Sequence, residues 1–108
     1  MFKTKIVLDE DKIKTEGMYY VEQCKNKLAE ICQMERLTEE TPNLYILDNK
    51  KDALGTRLTL LGELQVSKLL YYLKEWKNYS DEESDNGSLE ESDMLRLCRD
   101  EGLLDGNY

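Results

Sequence analysis

Residues 16–37 carry the pattern that most limits how this chain can fold. Their apolar residues recur at intervals of three and four positions, namely at Val21, Cys24, Leu28, Ile31 and Met34. This spacing brings them to one face of an α-helix, and that face must be buried against another element. The same spacing over 63–77 predicts a second amphipathic helix, with apolar positions at Val66, Leu69, Leu70, Leu73 and Trp76.

Short apolar runs predict a small sheet beside these helices. Phe2–Leu8 is rich in apolar and β-branched residues and ends at the acidic triplet 9–11. Pro42 lacks a backbone donor and ends the first helix, after which Leu44–Leu47 is typical of a buried strand. Beyond a polar turn at 48–52, the alternation in Thr56–Leu61 predicts the returning strand of a hairpin.

An alternative joins residues 51–77 into one long helix. Gly55 and Gly62 weigh against it, because a glycine inside a helix costs ~1 kcal/mol relative to alanine. The hairpin is therefore the preferred interpretation.

The last predicted element is a short acidic helix near the C-terminus. Ser88 and Glu91 match a capping box, and Met94, Leu97 and Cys98 supply a narrow apolar edge that ends near Gly102. The predicted fold is α+β, with two long amphipathic helices on a sheet of two or three strands, in the order β-α-β-β-α-α. A chain of 108 residues predicts one domain, divided into a core at 1–79, an acidic connection at 80–93 and a C-terminal helix and tail at 94–108.

The cysteines and the hydropathy pattern predict a cytoplasmic protein. No stretch approaches the ~18 apolar residues that cross a bilayer, and the apolar run at the N-terminus is too short for a signal peptide. Cys24 and Cys32 lie eight positions apart on the first helix, so about 12 Å separates them, beyond the ~7 Å limit of a disulfide. With Cys98 they are odd in number, which favours buried thiols in a reducing compartment.

The net charge of −8 is confined to the last part of the chain. Residues 1–78 hold thirteen Lys and Arg against thirteen Asp and Glu, whereas residues 79–108 hold two Arg against ten carboxylates. Such a segment is repelled by nucleic acid and by anionic membranes. We therefore expect neither as a partner, and expect a basic protein surface instead.

The sequence contains no histidine, which removes the usual general base near neutral pH and the commonest transition-metal ligand. The three cysteines form no C-x-x-C pair, and no glycine-rich phosphate loop is present. A pair of catalytic carboxylates remains possible in principle, but a chain this short rarely builds the cleft such chemistry needs. The sequence predicts a protein that is not an enzyme and has no cofactor and no metal site.

The acidic run 81–93 holds seven carboxylates and no basic residue. One interpretation is a solvated helix connection, because blocks of like charge repel and stay extended without any partner. A second is a twelve-residue calcium loop, with oxygen-bearing residues at Glu82, Ser84, Asn86, Ser88, Glu90 and Asp93 and with Gly87 at the sharp turn. It departs from that pattern because Glu82 stands where Asp is usual and Asp93 where a bidentate Glu closes the site.

A third interpretation treats the run as a surface that imitates nucleic acid. A groove that neutralises phosphates also accepts carboxylates at comparable density. We expect an inhibitor or regulator that docks on the basic surface of a nucleic-acid-binding enzyme, in the manner of antirestriction and anti-CRISPR proteins of phages and mobile elements. The predicted contacts are Asp81, Glu82, Glu83, Asp85, Glu90, Glu91 and Asp93, with Tyr79 as an anchor.

A different class of function remains as the alternative. The protein would be an accessory or structural subunit that binds through an apolar helix face, and the acidic run would only keep it soluble. Exposure of Leu69, Leu73, Trp76 or Met94 in the folded chain would favour this alternative.

Overall fold

The computed structural model describes residues 2–17, 19–47, 53–81 and 90–102 and has an α+β fold. Five strands form one antiparallel sheet in the order β2-β3-β1-β4-β5. The strands are β1 (Phe2–Leu8), β2 (Leu37–Thr41), β3 (Leu44–Leu47), β4 (Leu73–Ser80) and β5 (Glu90–Asp93). The α-helices are α1 (Glu10–Glu16), α2 (Val21–Met34), α3 (Ala53–Val66) and α4 (Met94–Asp100), and Leu69–Tyr72 forms a 3₁₀ turn.

The two faces of the sheet differ in chemistry because side chains alternate along each strand. On the inner face, Phe2, Thr4 and Ile6 of β1 lie beside Trp76 and other buried residues of β4. These join buried residues of the helices in one core, among them Ile13, Leu28, Ile31, Leu60, Leu64, Leu95 and Cys98. The outer face is partly exposed and carries mostly charged side chains from the same two strands, which are Lys3, Lys5, Glu75 and Lys77.

Across the described ranges, none of the helices combines the length and the apolar character that a membrane crossing requires.

Several predictions from local pattern are confirmed. The first strand has the predicted bounds, and β3 covers Leu44–Leu47. Helix α2 buries Cys24, Leu28 and Ile31 of the predicted apolar stripe, whereas Val21 is half-buried and Met34 is exposed. All three cysteines are free and buried, as expected of core thiols.

The predicted number of strands is wrong, because the sheet has five strands rather than two or three. Pro42 does not end the first long helix, because α2 already ends at Met34. Pro42 and Asn43 instead form the turn between β2 and β3, and Asn43 has a φ of 70°. Four of the five residues of β2 are exposed, and so are all four of β5. Neither strand has an apolar face for a sequence pattern to reveal.

The predicted hairpin between Leu44–Leu47 and Thr56–Leu61 is also wrong. Strand β3 pairs with β1 and β2, and residues 56–61 lie within α3. The buried residues Thr56, Leu60 and Leu64 follow one another at intervals of four, which places them on one face of a helix. The glycines that argued against a helix here are accommodated inside it.

The predicted helix over Glu63–Lys77 is wrong beyond Val66. Lys68 has a φ of 66°, which ends the helical path, and a 3₁₀ turn leads into β4. From Trp76 onward the buried residues alternate, with Asn78 and Ser80 also facing the core. The predicted element order therefore fails in the middle of the chain as well as at its end.

The helices near the two ends of the chain begin and end at residues other than those predicted. The helix predicted over 16–37 is shorter in the structure, where α2 covers Val21–Met34. A helix that was not predicted precedes it: Asp9 accepts a hydrogen bond from the Lys12 backbone N–H at 3.1 Å and starts α1, which ends at Gly17 with a φ of 67°. The last helix begins at Met94, so Glu91 belongs to β5 and not to a capping box. Its described residues carry Arg96, Arg99 and one aspartate, so the helix itself is not acidic.

Replacing Gly62 with alanine is expected to raise the free energy of unfolding by about 0.5–1 kcal/mol. Gly62 lies inside α3, and a Cβ added there would meet no atom within 4 Å. Alanine therefore restricts the unfolded chain without a steric cost in the folded one. Urea denaturation measures the change. The matched control is Gly17→Ala, which is expected to destabilise because of the positive φ at that position; a destabilising Gly62→Ala would contradict the helical assignment.

Candidate acidic docking surface

Strand β5 forms one edge of the sheet and carries a dense group of carboxylates. It pairs only with β4 in the described sheet, with Ser80 opposite Glu90, Tyr79 opposite Glu91 and Lys77 opposite Asp93. All four residues of β5 are exposed, and three of them are acidic. Asp81 follows directly after Ser80, at the end of β4 that lies next to Glu90. We call Asp81, Glu90, Glu91 and Asp93 the acidic edge.

Glu91 is held in place by two partners on β4. The Tyr79 hydroxyl donates a hydrogen bond to Glu91 Oε1 at 3.1 Å, and Lys77 Nζ lies 3.4 Å from the same oxygen. Burial raises the pKa of Tyr79, and its hydrogen bond to Glu91 raises it further. Tyr79 therefore remains a neutral donor that orients Glu91.

The ion pair at Glu91 continues across the outer face of the sheet. Lys77 Nζ also lies 3.4 Å from Glu75 Oε1, and Lys5 Nζ lies 3.3 Å from that same oxygen. Hydrogen bonds to Glu75 and Glu91 raise the pKa of Lys77. Three ion pairs among four side chains thus link β1, β4 and β5, and they favour one position for the Glu91 carboxylate of the acidic edge.

Asp93 has a structural role as well as its charge. Its Oδ1 accepts a hydrogen bond from the Arg96 backbone N–H at 3.2 Å, which makes it the N-cap of α4. A carboxylate at this position also interacts favourably with the positive end of the helix dipole.

Asp93→Ala is therefore expected to lower the free energy of unfolding by about 1 kcal/mol, because the first turn of α4 loses its cap. Asp93→Asn keeps an oxygen acceptor at the same place, so its free energy of unfolding is expected to differ from that of the unaltered chain by roughly a few tenths of a kcal/mol. Thermal unfolding of the two variants side by side measures the difference. Equal stabilities would contradict the capping role.

The structure brings five of the eight predicted contact residues together: Tyr79, Asp81, Glu90, Glu91 and Asp93. The remaining three, Glu82, Glu83 and Asp85, lie outside the described residues. Tyr79 is half-buried and bonded to Glu91, so it supports a carboxylate and does not present a free hydroxyl. Asp81 likewise already has an interaction within the chain.

The sequence did not reveal the supporting residues Lys5, Glu75 and Lys77. Lys5 and Lys77 are opposite one another in the register of β1 and β4, yet they are far apart in sequence. The only available signal was the alternation around Trp76, which places Glu75, Lys77 and Tyr79 on one face of a strand.

The calcium-loop interpretation falls largely outside the described residues, because Glu82, Ser84, Asn86 and Ser88 belong to the part that is not described. Glu90 and Asp93 lie on an extended strand, and an oxygen of Asp93 already caps α4. Within the described ranges, no group of three or more cysteine and acidic side chains is placed to hold a metal ion.

The thiols are held in their neutral form. Burial raises the pKa of Cys32 to about 12, with a further contribution from Glu39, and burial also raises the pKa values of Cys24 and Cys98. A nucleophilic cysteine needs a thiolate, which these environments disfavour.

The residues whose exposure would have favoured an accessory subunit are mostly buried. Leu69, Leu73 and Trp76 lie in the core, and Met94 is partly buried against it. Exposed large apolar side chains occur instead at scattered positions, which are Tyr19, Tyr20, Met34, Leu58, Val66 and Leu97.

No protein-family model matches the sequence, and comparisons with curated proteins and with solved structures find no match either.

Proposed function

We propose that this chain is a binding protein that docks its acidic edge on a basic surface of a partner protein. The observation that supports this most is the placement of three carboxylates within the four exposed residues of an edge strand. An edge strand leaves one side open to an approaching molecule, and charged residues keep it from pairing with other copies of the same chain.

The row of exposed carboxylates favours a partner whose surface is lined with Lys and Arg, as the surfaces that bind nucleic acid are. A β-strand advances about 3.3 Å per residue, and each strand of duplex DNA advances about 3.4 Å per phosphate. Because side chains alternate along a strand, Glu91 and Asp93 share the outer face of β5, about 6.6 Å apart, and Glu90 lies on the other face. A groove lined with Lys and Arg therefore meets about half the charge density that one strand of DNA presents. We infer that the partner is a nucleic-acid-binding enzyme and that the chain acts as its inhibitor or regulator.

The ion pairs of Lys77 and Lys5 support the same proposal. They bias the Glu91 side chain toward one orientation before any partner arrives, which reduces the side-chain entropy lost on binding. Attraction between an acidic patch and a basic groove can raise the association rate constant by about 10- to 1,000-fold at low salt.

The test is capture of the partner from cells that make the protein, using the tagged chain at two salt concentrations. At about 0.1 M salt the Debye length is ~10 Å, whereas at about 1 M it is ~3 Å. We expect a captured nucleic-acid-binding protein that is released at the higher concentration. A partner retained equally at both concentrations, or one without a basic surface, would contradict the proposal.

A further inference from the structure

A cleft of about 340 Å³ lies between α2 and the inner face of the sheet, on the side of β2 and away from the acidic edge. Its apolar wall consists of Leu28 and Ala29 of α2 together with Val7 and Leu8 of β1. Leu28 is buried and Ala29 is exposed, so the wall runs from the core to the surface. Sites for small molecules commonly have such a volume and such an apolar lining.

Tyr45 of β3 lines the cleft with a side chain that is only 9% exposed. Its hydroxyl makes no hydrogen bond with a described residue. Among the described residues, the polar side-chain atoms that are both sealed from solvent and unbonded belong to Arg57 and Asn78, so the Tyr45 oxygen reaches the cleft. Burial, with smaller contributions from Cys32 and Glu39, raises the pKa of Tyr45 to about 12. The cleft therefore contains a neutral hydroxyl group whose hydrogen-bonding capacity is unused.

Glu39 gives the cleft a negative charge. It lies directly opposite Tyr45 in the register of β2 and β3, so the two side chains lie on the same face of the sheet. Its carboxylate accepts one long hydrogen bond, from the Asn43 backbone N–H at 3.4 Å, and forms no ion pair with a described residue. The other charged residues lining the cleft, Glu10 and Lys25, pair with each other at 3.7 Å. One carboxylate charge in the cleft is therefore left without a basic partner.

We propose that this cleft binds a small primary amine with an apolar body. The ammonium group donates hydrogen bonds to the Glu39 carboxylate and to the Tyr45 hydroxyl oxygen, and the apolar body packs against Leu8, Leu28 and Ala29. An ammonium group has three donors and no acceptor, which suits two oxygen acceptors, and its hydrogen bond to a carboxylate is charge-assisted. The cleft shares no residue with the acidic edge, so this ligand site is independent of the proposed docking.

NMR titrations of the protein with three small molecules test the proposal at about 0.15 M salt, where the Debye length is ~8 Å and attraction to distant carboxylates is screened. Phenethylamine is a cation with an apolar ring at neutral pH. Phenethyl alcohol has the ring without the charge, and methylamine has the charge without the ring. We expect phenethylamine to bind with a Kd of about 1 mM or lower, and at least about tenfold more tightly than either of the others.

Variants of the protein then locate the binding site. Glu39→Gln is expected to weaken binding of phenethylamine about tenfold or more, because the bond to a charged group is lost, and to leave phenethyl alcohol unaffected. Tyr45→Phe keeps the ring and is expected to weaken the amine about tenfold. Glu40→Gln is the matched control, since Glu40 is the next residue of β2 and pairs with Lys3 at 2.9 Å. Its effect is expected to stay below about twofold, and circular dichroism checks that each variant is folded.

Three results would overturn the proposal: no binding of phenethylamine at about 10 mM, equal binding of the amine and the alcohol, or equal effects of Glu39→Gln and Glu40→Gln. A short peptide with a single lysine covers the remaining occupant. If this peptide binds more tightly than phenethylamine and loses that affinity in Glu39→Gln, a lysine side chain of a partner protein occupies the cleft and the proposal is wrong.

Discussion

Removing the charges of β5 is expected to slow association with the captured partner by about 10- to 1,000-fold at low salt. The variant is Glu90→Gln, Glu91→Gln and Asp93→Asn, which keeps the size of each side chain. The amide that replaces the Glu91 carboxylate can still accept the hydrogen bond of Tyr79, and the amide that replaces the Asp93 carboxylate can still cap α4. The loss therefore reports on charge, and surface plasmon resonance measures it as a change in the association rate constant.

A second triple variant separates local charge from net charge. Glu10→Gln, Glu22→Gln and Glu30→Gln remove the same number of charges from exposed positions on α1 and α2. This control is expected to change the association rate constant only slightly, because its charges lie outside the acidic edge. Similar losses in both variants would show that net charge alone attracts the partner.

Thr4→Val is expected to lower the free energy of unfolding by about 2–5 kcal/mol, because two buried polar groups lose their partner. Thr4 is fully buried at the centre of the sheet. Its hydroxyl accepts a hydrogen bond from Trp76 Nε1 at 3.0 Å and donates one to Asn78 Oδ1 at 2.7 Å. Valine has the same shape but neither function. Among the described residues the Nδ2 of Asn78 has no partner, so the variant removes the one hydrogen bond that they give to the Asn78 side chain.

Denaturant unfolding followed by Trp76 fluorescence measures this loss, since Trp76 is the single tryptophan of the chain. Thr59→Val is the matched control. The Thr59 hydroxyl donates to the Gly55 carbonyl at 2.9 Å on the exposed side of α3, where water can replace the bond. We expect that control to stay within about 0.5 kcal/mol of the unaltered chain. A Thr4→Val effect as small as that of Thr59→Val would contradict the buried network.

The sequence predicted those elements whose buried side chains form a clear apolar pattern within the element itself. The apolar stripe from Cys24 to Ile31 identifies α2, and the compact run Leu44–Leu47 identifies β3. The prediction failed where the apolar residues of one stretch fit both the period of a helix and that of a strand. Leu69, Leu70 and Leu73 fit a helix, but the chain leaves the helical path at Lys68, a residue type that gives no warning of a positive φ.

The edge strands and the support of the acidic edge could not be predicted for a different reason. All residues of β5 are exposed, so its conformation depends on pairing with β4 rather than on an apolar pattern of its own. The ion pair between Lys5 and Glu75 likewise exists only because β1 and β4 are neighbours. The charge of the run was visible in the sequence, but its arrangement along a sheet edge was not.

The most direct measurement of the central proposal is competition between this chain and duplex DNA for the purified partner. If the acidic edge occupies a groove that binds phosphates, an oligonucleotide duplex displaces the chain, and the chain inhibits DNA binding in return. The Glu90→Gln, Glu91→Gln, Asp93→Asn variant loses this competition, whereas the Glu10→Gln, Glu22→Gln, Glu30→Gln variant retains it. Simultaneous binding of the chain and the duplex, with neither weakening the other, would contradict the account.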